Sequence, residues 1–225
     1  YGIESLAHLT CINSSKATID ELLTELNTQD IKNILALRGD IPEQVDTVGE
    51  FGYAYELIQY IKQKNLFGVA AACYPEGHID SGSLEQDIEA LKIKVDAGTD
   101  YLISQLFFDN NYFYEFLNLA DQKGIDIPIQ AGIMPVANKR QIERIVSLCG
   151  ATVPKKFTKI MNRYEHDREA LREAGIAYAT EQIIDLISTG VKGIHLYTMN
   201  NPYIARKITN NISAVMSFAN DDRAI

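Results

Sequence analysis

Six short apolar runs, separated by longer stretches with helical patterning, constrain this chain more than any other feature. They are AHLTCIN (7–13), NILALRG (33–39), FGVAAACYP (67–75), YLISQLFFD (101–109), IPIQAGIMP (127–135) and GIHLYTMN (193–200). Most are apolar at consecutive positions rather than alternating ones. Strands covered on both faces have that pattern, and they belong to parallel sheets joined by helical crossovers. The stretches between them supply the crossovers. Thr18-Ile-Asp-Glu21 reads as a capping box ahead of a stripe made by Ile19, Leu22, Leu23 and Leu26. Ser83-Leu-Glu-Gln86 repeats the device ahead of Leu84, Ile88, Leu91 and Val95, with Gly98 as the stop. Residues 155–190 read as one longer, charged helical region, and 201–220 as a final helix.

The order is therefore (βα)6, one domain over residues 1–225 with no linker or low-complexity segment. Such a chain builds either an open doubly wound sheet or a closed barrel. No strand is followed by GxGxxG or a Walker loop, which weakens the open nucleotide-binding sheet. The expected fold class is α/β, a (β/α)8 TIM barrel with six of eight βα units visible. The first two units, ~30 residues each in a ~250-residue fold, would then be missing from this chain, which begins at Tyr1 rather than Met.

Composition narrows the function classes. Hydrophobic residues make up 46% of the 225, enough for a full core. A net charge of −9 disfavours a nucleic-acid partner, and no Lys/Arg cluster rescues one. Cys11, Cys73 and Cys149 are far apart, without CxxC or His/Cys metal spacing. They read as reduced thiols of a cytoplasmic protein with no metal site. No apolar run approaches the ~18 residues of a membrane span, and no signal peptide is visible.

In a barrel the chemistry gathers where the strands end. Those ends offer His8 to Asn13, then Arg38-Gly39-Asp40, then Tyr74-Pro75-Glu76-Gly77-His78, then Gln105 to Asp109, Met134-Pro135, and Tyr197 to Asn200. Each has a plainer explanation. Arg38 and Asp40 can pair and cap the next helix. His8 and His195 can be core histidines. YPEGH can be an ordinary Pro–Gly turn. Asp87 and Lys94, seven apart on one helix face with Ala90 between, can be a solvated charged stripe. Gln105 resists this treatment, because an amide in a buried strand must find partners.

Taken together, HLTC (8–11), LALRGD (35–40), AACYPEGH (71–78), KVDAGTDYLISQLFFD (94–109), GIMPV (132–136) and HLYTMN (195–200) resemble the methylenetetrahydrofolate reductases, flavin-dependent (β/α)8 enzymes. The motifs fall in the family's order and cover nearly the whole chain. The resemblance implies FAD as cofactor, NADH or NADPH as co-substrate, and reduction of 5,10-methylenetetrahydrofolate to 5-methyltetrahydrofolate. It implies FAD contacts at His8, Leu37, Arg38, Gly39, Asp40, Tyr53, Ala54, Tyr74, His78, Asp87 and Lys94. It implies folate contacts at Asp40, Gln105 and Gln141, with Gln105 also meeting the nicotinamide. Asp40 and Gln105 carry the catalytic roles. A carboxylate at position 40 would stabilise the cationic one-carbon unit that accepts hydride.

This chain departs from the family pattern in places. Ala90 and Ile93 stand where relatives carry polar flavin contacts, and Asn201 where some carry an arginine suited to the folate tail. The general-acid glutamate of the family would lie in the first strand, which this chain is expected to lack, and no glutamate here is assigned that role. Folate and nicotinamide are the implied partners; the choice of NADH or NADPH and a homo-oligomer are left open. Rival readings are a catalytically silent flavin- or folate-binding barrel, a proline dehydrogenase type of flavin barrel, and a non-flavin aldolase or lyase barrel.

Overall fold

A computed structural model describes residues 2–39 and 49–221. Six strands run in parallel: β1 (Leu6–Thr10), β2 (Asn33–Leu37), β3 (Gly68–Cys73), β4 (Tyr101–Ser104), β5 (Ile129–Ile133) and β6 (Gly193–Leu196). Their spatial order is their chain order, β1-β2-β3-β4-β5-β6. The crossovers are α1 (Lys16–Thr28), α2 (Ala54–Gln63), α3 (Leu84–Asp96) and α4 (Asn110–Gln122), each between successive strands. Between β5 and β6 come α5 (Lys139–Cys149), α6 (Lys155–Tyr164) and α7 (Arg168–Ser188), and α8 (Pro202–Asp221) follows β6. Among the described residues no helix is long and apolar enough to cross a membrane.

The apolar runs are double-sided for a visible reason. Ile34, Ala36, Val69, Ala71, Leu102, Ala131 and Ile133 face the helices and pack with Ile19, Leu57, Ile61, Leu91, Phe113 and Phe116. Leu35, Ala70 and Ile103 point the other way and pack with Leu6, Leu37 and Tyr101 in a separate inner cluster. Strand alternation thus fills both faces with carbon.

The sheet curls as a barrel does. In a flat sheet the edge strands β1 and β6 would be about 24 Å apart, at roughly 4.8 Å per strand. Instead His8 on β1 is near enough to His195 on β6 to help lower its pKa, after the larger effect of burial. The curl brings the two edges to face each other and turns the strand C-termini toward a common rim.

Several local expectations are corrected. The cap of α1 is Ser15, whose Oγ accepts from the Thr18 N–H at 3.1 Å, so Thr18 lies inside the first turn. The 101–109 run is strand only to Ser104, and Asp109 instead caps α4 by accepting from the Asn111 N–H at 3.0 Å. Residues 155–190 break into α6 and α7, because the Asp167 carboxylate accepts from the N–H groups of Glu169 and Ala170 and starts a new helix. Ser83 caps α3 as the sequence indicates, accepting from the Gln86 N–H, and Gly98 follows its end at φ +111°.

Candidate functional site

Three clefts follow one another along the rim. The first, of about 370 Å³, opens between the ends of β2 and β3 and the helices α2 and α3. Ala36, Leu37, Ala72, Ala90 and Ile93 give it apolar walls; Arg38, His78, Asp80, Ser81, Asp87 and Lys94 give it charge and hydrogen-bonding groups. Tyr53 stands at its mouth, 58% exposed, with its ring stacked on Tyr55 at 5.8 Å and 17°. The Glu56 carboxylate fixes this corner by accepting from the N–H groups of Gly52 (2.6 Å) and Tyr53 (3.0 Å) at the start of α2.

The charges inside this cleft are costly and held. Asp87 is 7% exposed, and loss of hydration pushes its carboxyl above the usual carboxylate range, against the pull of Lys94, Ser81 and His78. The Ser81 hydroxyl donates to Asp87 at 3.1 Å. Lys94 is half-buried; it donates to the Ala72 carbonyl at 2.6 Å, and desolvation lowers its pKa while Asp87 opposes the shift. Its ammonium also lies 5.6 Å from the centre of the Tyr74 ring. Cys73, next to this pair and fully buried, has its thiol pushed up to about 12 by burial.

One loop ties the cleft mouth together. Asp80 pairs with Arg38 at 3.2 Å, and its backbone N–H donates to His78 Nδ1 at 3.1 Å. With Nδ1 accepting, Nε2 is the ring nitrogen left to donate. Tyr74 and His78 meet edge to face at 4.7 Å.

Tyr74 and His78 also line the second cleft, of about 340 Å³, with Gln105, Ile145, Leu148 and Cys149. Gln105 sits just past β4. Its backbone N–H donates to the Cys73 carbonyl at 2.7 Å, and its side-chain Oε1 accepts from the Leu106 N–H at 2.9 Å. The backbone donor orients the amide, which leaves the Nε2 hydrogens for the cleft. Leu148, 67% exposed, forms the apolar lip on α5.

The third cleft, of about 600 Å³, lies beyond α5, between its N-terminal turn and the start of α7. Asn138, Gln141, Arg168, Glu169, Arg172, Thr198 and Asn201 make its lining mostly polar. Tyr197 forms part of its floor and donates to the Ser104 carbonyl at 2.9 Å, next to Gln105.

Eight of the residues singled out for FAD therefore meet in the first cleft: Leu37, Arg38, Tyr53, Ala54, Tyr74, His78, Asp87 and Lys94. Gly39 lies just outside it at φ +85°, where a Cβ would come within 3.0 Å of Ile12 and 3.1 Å of Thr10. His8 sits on the exposed inner face of β1, outside the lining of all three clefts. Gln105 and Gln141 occupy different clefts on either side of α5. Asp40 falls outside the described residues. The sequence did not single out Tyr55, Asp80 and Ser81; the Tyr-x-Tyr and His-x-Asp-Ser spacings beside Tyr53 and His78 were the available signals.

Residues 1–213 match the sequence profile of the methylenetetrahydrofolate reductases. The chain belongs to the methylenetetrahydrofolate reductase family. A 5,10-methylenetetrahydrofolate reductase of Pectobacterium carotovorum is 32% identical over 94% of this chain and 70% of its own length. A probable methylenetetrahydrofolate reductase (NADH) of Oryza sativa is 36% identical over 95% of this chain. The chain spans only 38% of the rice relative's length. Among solved structures, an uncharacterized protein from Clostridium thermocellum that binds two copies of 5-methyl-5,6,7,8-tetrahydrofolic acid superposes with a TM-score of 0.62. The match has 10% identity and covers 97% of this chain and 74% of that one. That likeness is one of fold. With the family placed, Ala90 and Ile93 are seen to line the first cleft, so its α3 wall is apolar at both positions.

Proposed function

We propose that this chain forms the cofactor- and substrate-binding rim of a reductase that converts 5,10-methylenetetrahydrofolate to 5-methyltetrahydrofolate, with NADH or NADPH as donor and FAD as resident cofactor. One observation carries the reading: the eight residues above, drawn from four separate elements, share one cleft. Its chemistry suits FAD. Apolar and aromatic walls accept flat rings, and Arg38, His78 and Ser81 offer donors to anionic and hydroxyl groups. FAD bound there would supply the redox chemistry that passes hydride from nicotinamide to folate.

The chain's own residues hold and orient. Lys94 carries positive charge into a desolvated wall, where an anionic group finds it stronger than in water. Tyr74 and His78, shared by two clefts, keep cofactor and substrate in contact. The Gln105 amide presents donors to a pterin or a carboxamide in turn, which suits alternating occupancy of one site by donor and acceptor. Asp40, following Gly39, is assigned the carboxylate beside the cationic one-carbon unit. Free Cys11, Cys73 and Cys149 fit a reducing, cytoplasmic setting.

The test is anaerobic half-reaction kinetics on the purified protein. Bound FAD is expected to be bleached by NADH or NADPH and recoloured by methylenetetrahydrofolate. A protein that takes up no FAD sinks the reading. One that takes up flavin but is not reoxidised by folate is the silent binding barrel. Asp40→Asn is expected to slow reoxidation at least tenfold more than reduction, a difference of about 1.4 kcal/mol in barrier. Equal effects on both half-reactions remove Asp40 from the chemistry.

A further inference from the structure

A hollow larger than these three clefts lies in the outer helix layer. It is a groove of about 1080 Å³ between the first turn of α4 and one face of α7, with Lys156 of α6 and Asn211 of α8 beside them. It shares no lining residue with the three clefts.

The hydrogen-bond donors of this groove are engaged by its own walls. The Tyr178 hydroxyl donates to the Phe108 carbonyl at 2.6 Å, and the Tyr114 hydroxyl to Asp185 at 2.6 Å. The Thr180 and Ser188 hydroxyls donate back along α7, to the carbonyls of Ile176 and Ile184. Both amide hydrogens of Asn110 are used, on the Gln182 carbonyl and on Asp185. The Lys156 ammonium closes on both Glu181 oxygens at 2.8 Å. Asp109 caps the N-terminus of α4.

The acceptors are not so engaged. Gln182 is 7% exposed, and its Nε2 faces two acceptors, Asn110 Oδ1 at 3.2 Å and the Phe107 carbonyl at 3.4 Å. That sets the direction of the amide and leaves Oε1 toward the groove, with no donor among the described residues. A buried amide oxygen of this kind calls for a donor from outside the protein. Asp109 and Asp185 each accept their hydrogen bonds through one oxygen and keep the other free. Among the described residues neither has a Lys or Arg within ion-pair distance. The bonds from Asn110 and Tyr114 hold the Asp185 carboxyl below the usual carboxylate range, so it is ionised at neutral pH. Burial, and then the negative fields of Asp109 and Glu181, push the Tyr178 phenol up to about 12.

We propose that this groove binds a small organic cation, an amine, guanidinium or amidinium on an apolar body, through the Gln182 amide oxygen and the carboxylates of Asp109 and Asp185. The rings of Tyr114 and Tyr178 give the body an aromatic wall. An anion would meet unpaired carboxylates and no free buried donor there, so the groove is no second place for a folate or a dinucleotide. The proposal stands apart from the reductase reading.

The test is chemical-shift mapping on the purified chain with three probes of one shape: benzamidine, benzamide and benzoate. Benzamidine is expected to bind with a Kd of about 1 mM and to shift the signals of Tyr114, Gln182 and Asp185. Benzamide should bind roughly tenfold more weakly and benzoate not at all. The benzamidine Kd should rise with salt. Asp109→Asn combined with Asp185→Asn keeps a capping residue and an acceptor for Asn110 and Tyr114 while removing the charge. It should erase the preference for benzamidine over benzamide and leave the melting temperature near that of the parent. Gln182→Met should weaken both probes; where it unfolds the chain, the paired Asp variant decides alone. Equal Kd values for benzamidine and benzamide in the parent overturn the cation. Benzamidine shifts confined to the first cleft, or none at all up to about 10 mM, overturn the site. A dimer that Asp185→Asn breaks up, with the groove closed to benzamidine, reassigns it to a second copy of the chain and also overturns the proposal.

Discussion

The first and third clefts are built in opposite ways. The first grows from stiff strand ends, and its charges lie at or below the surface: Asp87 is almost fully buried and Lys94 donates to a backbone carbonyl of β3. The third is framed by helix starts, and its distinctive charge, Arg168, stands in solvent. Buried charge is tied to the stability of the fold, because removing one partner strands the other in a poor solvent. Exposed charge is nearly free of that coupling. The first cleft should therefore tolerate little change, while the third can be retuned for a new ligand without loss of the molecule.

The hardest blow to this contrast is expected where the third cleft does depend on packing. Gly175 on α7 lies so close to the chain after β5 that a Cβ there would be 1.9 Å from the Val136 carbonyl oxygen. Gly175→Ala is expected to cost about 3 kcal/mol by urea denaturation. A variant of normal stability would mean that α7 can move away freely. Next comes Lys94→Met, expected to cost about 2 kcal/mol and to release FAD on gel filtration. Full retention would show that the buried cation serves the fold alone. Arg168→Gln, by contrast, is expected to move the denaturation midpoint by no more than about 0.5 kcal/mol; a larger loss would erase the distinction between the two clefts.

The smallest effect is a pH dependence. Burial raises the Asp87 pKa in the folded state, so the folded protein holds its proton more tightly than the unfolded chain. Stability should fall as pH rises from the ordinary carboxylate pKa through the raised one. Asp87→Asn should remove that component. Its stability relative to the parent should therefore be greater at neutral pH than in acid. No pH dependence in the difference would place Asp87 in a more hydrated setting than the structure gives it.

The fold was legible because its strands are buried on both faces. Ile34 and Ala36 face helices while Leu35 faces the inner cluster, so consecutive apolar letters mark the strand, although Leu106, Phe107 and Phe108 carry the same pattern past the end of β4. Boundaries were less legible where one polar letter could serve two ends. Thr18 was read as the cap of α1, but the chain enters the helix three residues earlier, at Ser15. The α6–α7 break has no glycine or proline; it rests on Asp167, one acid in a charged stretch. The first cleft was readable from the family motifs, since they contain its strand ends. The third was legible at Gln141 and Asn201 alone; its arginines, Arg168 and Arg172, lie outside the motifs, in the charged stretch that opens α7.

Among the described residues each strand bonds only to its neighbours in chain order. The first cleft is drawn entirely from residues 36–94 and the third from residues 134–204. A single crossover in the gene, placed within the turn between Gln122 and Ile129, would carry one ligand wall whole and leave the other whole. The two linings can thus be inherited from different parents.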